Sequence, residues 1–339
     1  LRDAPRVCSR LRTRSFKELL PACARLRATA WTRIVSRMTT VPSGMYFQPD
    51  ARLELPDGLN IAMSDYGRTG APVLFLHGAV TDHRIWRAHQ QLMGQEFRTL
   101  AYTQRYHGTV KLVQNPPPYG VRTHSRDLIA VVEALRLGPV HLVAWSYACH
   151  VAFHAALLRP DLFRSLFAYE PGFSSYINDA DSLAHFEQDA QSAFAPIFAA
   201  VGRGDTQRAL ELLIESSTGE AGAFLRQHSR LRSVELENAH TLEALLRQEP
   251  PPSISAEELS RLRLPVAVGY GARTRPIYAI SSVAAQECLA EGRHFVVPGA
   301  GHLWPQEEPS EFVDRLIDFL QSASAVSVGR KSLGANVCP

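Results

Sequence analysis

The chain has 339 residues, 45% of them hydrophobic and 20% charged, with a formal net charge of +3. It is long enough for one large α/β domain or two smaller ones with a sizeable core, and its composition is ordinary for a soluble globular protein. No run approaches the roughly 18 to 20 apolar residues that a membrane-spanning helix needs, so no membrane partner is expected.

The charge is unevenly placed. Residues 1–44 carry ten Lys/Arg against Asp3 and Glu18, a net of +8, which leaves −5 for the rest of the chain. With the basic character confined to one arm, a nucleic-acid partner for the body loses its electrostatic footing. Arginines interrupt the apolar residues of that arm, which argues against a secretory signal. Two readings stay open for it: an organellar transit segment, or sequence upstream of a start at Met38 or Met45 that is disordered or not native. Five cysteines, Cys8, Cys23, Cys149, Cys288 and Cys338, are scattered without a CxxC pair. Their placement suits a reducing compartment, so a cytoplasmic location is expected, with neither a disulfide framework nor a structural zinc site.

Past the arm, residues 50–55 (DARLEL) and 59–66 (LNIAMSDY) read as strands joined at the turn Pro56-Asp57-Gly58. The short apolar run 71–78 (APVLFLHG) reads as a strand buried on both faces, and 97–104 (FRTLAYTQ) as a fourth strand. Leu128, Ile129, Val132 and Leu135 recur at helical spacing within 123–137. The run VHLVAWS (140–146) predicts another buried strand, followed by a helix over 147–158 and a strand over 163–171. Alternation of this kind calls for a mostly parallel sheet with helices on both faces.

The rhythm breaks over 178–248, where helical stretches such as QRALELLI (207–214) replace strands. It resumes with a strand at 264–271, a helix near 279–290, a strand within 294–302 and a helix at 309–321. These boundaries divide the body into a first core part (45–173), a helical cap (174–262) and a second core part (263–321). A small, polar tail (322–339) is expected to be disordered.

The chemistry concentrates at strand ends. Ala144-Trp145-Ser146-Tyr147-Ala148 places a serine between a buried strand and a helix, with small residues two places either side. His77-Gly78-Ala79 ends an earlier strand, and Gly299-Ala300-Gly301-His302 follows the last one. Taken alone, each has a bland reading: a helix-capping serine, a turn glycine, a surface-loop histidine. In this order, on strand, turn and helix, they make the chain over 49–320 resemble an α/β-hydrolase of the serine esterase or haloperoxidase-like branch, with A-x-S-x-A standing where G-x-S-x-G is usual.

That resemblance implies Ser146 as nucleophile, His302 as general base, and an oxyanion hole from the backbone N–H groups of Ala79 and Tyr147. It implies no cofactor. The acid departs from the pattern: the loop Gly271-Ala272-Arg273-Thr274-Arg275-Pro276 has no carboxylate where the family commonly keeps an aspartate. In some members the acid follows the preceding strand, and here that strand ends Ala168-Tyr169-Glu170-Pro171, which makes Glu170 the candidate. Trp145 and His77 are expected to shape the substrate pocket. His150 and His154 lie four apart on a helical face, but no third ligand accompanies them, so no metal is expected.

The partner implied is a small-molecule substrate: an apolar ester, lactone or thioester of small or medium size. Two alternatives stay open. One is other serine-dependent chemistry on this fold (carbon–carbon hydrolysis, cofactor-free perhydrolysis or a lyase reaction). The other is a ligand-binding homologue without turnover, for which the missing aspartate and the double-alanine turn are the best arguments.

Overall fold

A computed structural model describes residues 51–334, apart from 68–69, 110, 249 and 291, and gives backbone alone for 325–334. The basic arm and residues 335–339 lie outside the described residues. Eight strands form one sheet: β1 (Ala51–Glu54), β2 (Asn60–Tyr66), β3 (Pro72–Leu76), β4 (Arg98–Tyr102), β5 (Val140–Trp145), β6 (Phe163–Tyr169), β7 (Val266–Gly271) and β8 (Gly292–Val297). Their order across the sheet is β1-β2-β4-β3-β5-β6-β7-β8. Only β2 pairs antiparallel with its neighbours β1 and β4; every other pairing is parallel. This is the α/β-hydrolase fold.

Side-chain alternation sorts the core into two layers. Leu74 and Leu76 of β3, Leu142 and Ala144 of β5, and Leu166 and Ala168 of β6 belong to one buried cluster. They meet α2 (Val121–Leu135), α3 (Tyr147–Leu158) and α10 (Pro276–Cys288) there, through Val131, Phe153 and Ala285. The intervening residues face the opposite layer, where Phe75 packs on Trp86 at 5.1 Å and Phe167 on Phe312 at 5.4 Å between ring centroids. That layer holds α1 (Arg87–Met93), the short α11 (Trp304–Glu307) and α12 (Pro309–Gly334). A strand covered on both faces must be apolar at successive positions, and β5 is buried at all six.

The chain runs from β3 to β4 on one side, then crosses back through α2 to β5 on the other. This reversal opens a crevice beyond the carboxyl ends of β3 and β5, the place where open parallel sheets bind ligands. Between β6 and β7 the chain leaves the sheet for a helical insert: α4 (Ala180–Gly202), α5 (Thr206–Thr218), α6 (Ala223–Arg226), α7 (Ser229–Asn238), α8 (Leu242–Leu246) and α9 (Ala256–Leu259). Arg275 ties this insert to the loop after β7, donating to the Asp189 carboxylate of α4 at 2.6 Å. On the other side Asn238 of α7 donates to Asp82 at 2.9 Å and accepts from Gly108 N at 2.6 Å.

The C-terminal helix corrects one expectation. Instead of giving way to a disordered tail at Ser322, α12 continues to Gly334. Ala323 is buried and has high intrinsic helix propensity, so it extends a helix already anchored by Phe312, Leu316 and Phe319.

Candidate active site

Ser146 sits at the turn from β5 into α3 with φ 58° and ψ −126°, a conformation that L residues rarely adopt. Two backbone bonds hold the turn: Ser146 N donates to Tyr169 O at 2.9 Å, and Cys149 N to Ser146 O at 2.9 Å. Ala144 and Ala148 are both fully buried, so the small side chains either side of the serine are a packing requirement. The loop after β3 presses on the same turn. A Cβ at Gly78 would lie 3.3 Å from the Ser146 Cβ and 3.3 Å from the Trp145 carbonyl, closer than such contacts usually come.

His302 reaches this serine from the loop after β8. Its Nε2 accepts from Ser146 Oγ at 3.0 Å, and its Nδ1 donates to Glu170 Oε2 at 2.6 Å. Glu170, at the end of β6, is fully buried. Its Oε1 accepts from Gly271 N at 2.8 Å, and its Oε2 also accepts from the Thr274 hydroxyl at 2.9 Å. With a carboxylate as acceptor on one side, the imidazole carries its proton on Nδ1 and leaves Nε2 free to take the serine proton. Tyr278 stacks on the other face of the chemistry: its ring lies 3.8 Å from the His302 ring, at 13°.

The three residues singled out in the sequence for nucleophile, base and acid thus come together as one hydrogen-bonded chain. Ala79 and Tyr147 join Ser146 in lining a cavity of about 800 Å³, well within the size range of small-molecule sites. Phe173, Phe186, Phe194, Leu213 and Leu245 supply much of its wall, with Tyr278 near the serine. Most of these apolar residues come from the helical insert. Their role is invisible in the sequence, because only the tertiary fold brings α4 and α8 over the end of β5.

Two expected pocket residues lie elsewhere. His77 is fully buried and serves as a bracket: its Nε2 accepts from Gln104 N at 3.0 Å, and its Nδ1 donates to Gly78 O at 2.9 Å. Burial holds its pKa down to about 4, which suits the neutral ring those two bonds require. Trp145 turns to the side of the turn away from the cavity. Its Nε1 donates to His302 O at 2.9 Å, and its ring packs 5.5 Å from the imidazole, so it holds the histidine loop and does not line the cavity. Alternation explains both errors, since a strand-end side chain points to one layer or the other according to register.

Other features resolve as structure. Burial pushes the Cys149 thiol well up, and its Sγ contacts the carbonyls of Ala144 and Tyr169. His150 packs edge-on to Phe173 at 4.1 Å, while His154 pairs with the Ser125 hydroxyl at 2.7 Å. Among the described residues no group of three or more His, Cys, Asp or Glu is placed to hold a metal ion. Likewise, none of the described helices is long and apolar enough to cross a membrane.

Comparison with known proteins agrees with the fold. A model of the alpha/beta hydrolase family matches residues 73–315. An epoxide hydrolase of Caballeronia sordidicola is 27% identical over 118 residues, covering 34% of this chain and 36% of that protein. A protein of Oryza sativa subsp. japonica, named as a probable esterase, is 26% identical over 136 residues, 38% of this chain and 48% of its own length. The chain therefore matches less than half the length of either curated relative. Among solved structures, a thermophilic esterase from Thermogutta terrifontis superposes with a TM-score of 0.62 at 22% identity, covering 80% of this chain and 99% of that one. On the family match, which spans well over half of its length, this chain belongs to the alpha/beta hydrolase family.

Proposed function

We propose that this hydrolase cleaves an apolar ester, lactone or thioester of small or medium size through an acyl-enzyme. The observation that carries the reading is the continuous chain from Ser146 Oγ through His302 to the buried Glu170 carboxylate, opening on a largely apolar cavity. The helical insert acts as the cap over that cavity, and the partner is a small-molecule substrate.

In the first half-reaction Ser146 Oγ attacks the substrate carbonyl carbon as His302 Nε2 takes the hydroxyl proton. The carbonyl electron pair moves onto oxygen, where the backbone N–H groups of Ala79 and Tyr147 are the donors available beside the serine. Collapse expels the alcohol or thiol oxygen or sulfur, which leaves with the proton from His302. Water then attacks the acyl-serine, His302 again serving as base, and the acid is released with Ser146 restored. Glu170 keeps the proton on Nδ1 throughout and offsets the imidazolium charge that forms twice per turnover.

Labelling with a fluorophosphonate tests this directly, because the reagent reacts with an activated serine and spares an inert one. Covalent labelling that disappears in Ser146→Ala is expected. An unlabelled, folded wild-type protein would overturn the reading in favour of a ligand-binding homologue.

A further inference from the structure

The loop after β7 carries no acid, yet it is not a passive remnant. Three backbone bonds lock it in place: Ala272 N donates to Val297 O at 2.9 Å, Arg273 N to Ala300 O at 2.9 Å, and Thr274 N to Gly271 O at 3.0 Å. The first two fasten it to the segment that leads into His302. Gly271 lets the two loops touch, for a Cβ there would lie 2.3 Å from the Ala300 carbonyl oxygen. This close docking presents the Thr274 hydroxyl and the Gly271 N–H to the Glu170 carboxylate, one on each oxygen, at 2.9 and 2.8 Å.

The flanking arginines are committed elsewhere. Arg275 bonds Asp189, and Arg273 bonds Glu220 at 3.1 Å, so neither draws the carboxylate away. Glu170 itself has φ 53° and no exposed surface, so no solvent can replace a donor that is removed. A glutamate also has one more rotatable bond than an aspartate, and its carboxylate needs fixing on both oxygens if Oε2 is to stay on Nδ1.

We propose that Thr274 is a positioning residue for the reaction: its hydroxyl, standing where the family commonly keeps its acid, orients the displaced acid Glu170 toward His302. It touches no reacting atom and acts only through the glutamate. The inference rests on the reading of Ser146, His302 and Glu170 given above.

Replacing the hydroxyl by a methyl group of the same shape separates this role from packing. Thr274→Val should lower kcat by about tenfold, in line with one hydrogen bond to a charged group, with KM little changed. Thr274→Ser, which keeps the donor, should restore kcat to within about twofold of wild type. The deciding measurement is the double variant. In a Glu170→Gln background, Thr274→Val should change kcat by less than about twofold, since residues that act as one unit are not additive. Thr274→Ala serves in the same comparison if the valine variant does not fold.

An undiminished kcat in Thr274→Val overturns the proposal, as does an equal loss with and without Glu170 or a failure of serine to rescue. The Ser146→Ala protein measured alongside keeps the two ideas apart. If it is inactive while Thr274→Val is unimpaired, only the positioning role falls. If Ser146→Ala retains full activity, the reading of the site falls and takes the positioning role with it.

Discussion

Glu170 Oε2 and His302 Nδ1 lie 2.6 Å apart across 132 positions of sequence. The contact exists because β6 and β8 flank β7 in one parallel sheet, so their carboxyl ends open on the same crevice. A carboxylate at the end of β6 is thus within reach of a histidine two strands away, provided the side chain is long enough.

Glu170→Gln keeps the size of the side chain and removes the charge that stabilises the imidazolium. The equivalent loss in a serine protease triad costs about 10⁴ in turnover. We expect a fall of at least about 10²-fold here, concentrated in kcat as befits a loss confined to the transition state. Wild-type kcat in this variant would show that His302 is oriented by something other than Glu170.

Ser146→Ala should abolish hydrolysis of activated esters, by up to about 10⁶-fold in the strongest comparable case. Thermal stability should hold or rise, because alanine removes one hydroxyl without changing the turn. The φ of 58° stays costly for alanine as it is for serine. Rate and melting temperature measured on the same preparation distinguish lost chemistry from lost fold.

The cavity walls predict a chain-length preference. Each methylene buried against Phe186, Phe194, Leu213 and Leu245 adds about 0.8 kcal/mol, or roughly a fourfold gain in kcat/KM per carbon until the space is filled. Phe194→Ala should move the optimum of a p-nitrophenyl ester series toward longer acyl chains. An optimum that stays put would place the acyl chain elsewhere.

Tyr278 stacks on His302 and contacts Ser217 of the insert through its hydroxyl at 3.4 Å. Tyr278→Phe keeps the ring over the imidazole and should retain most activity. Tyr278→Leu loses the ring face that favours the charged imidazolium, and its kcat should fall below that of the phenylalanine variant. Equal kcat in the two variants would deny the stack any part in the rate.

Acid should unfold this protein early. Burial holds His77 and His141 down to about 4, and His89 and His124 to about 3. In the unfolded chain each titrates near 6.5. Below that pH the unfolded state binds protons that the folded state refuses, so stability is complete above pH 6.5 and falls as the pH drops toward 4. At pH 5 each such group removes up to about 2 kcal/mol. The melting temperature followed from pH 7.5 to 4.5 should decline steeply below 6.5; a level profile down to pH 5 would refute this.

How much of the site was legible depended on whether each feature is local. Ser146 is legible because strand, small neighbours and helix all lie within a few residues of it. Glu170 was legible only by its order along the chain, between Ser146 and His302. Thr274 read as a missing aspartate, since nothing near it in sequence reveals the carboxylate its hydroxyl meets. The sequence places His77 and Trp145 at strand ends but leaves open where their side chains point, because direction follows register and the packing of the layers. The helix past Ser322 is hidden by its composition: serines are middling helix formers, and the burial of Ala323 that helps hold the helix is a tertiary contact.

The sequence by itself determined the parallel sheet, the insertion point of the helices and the strained serine turn, since hydrophobic period and turn chemistry are local properties of the chain. Tertiary structure decided which acid meets His302, what holds that acid in place and which apolar side chains face the serine. Those are distances between residues far apart in sequence, set by strand order and by the docking of the insert. A hydrogen bond tolerates only a few tenths of an ångström of error, and local pattern carries no information at that scale.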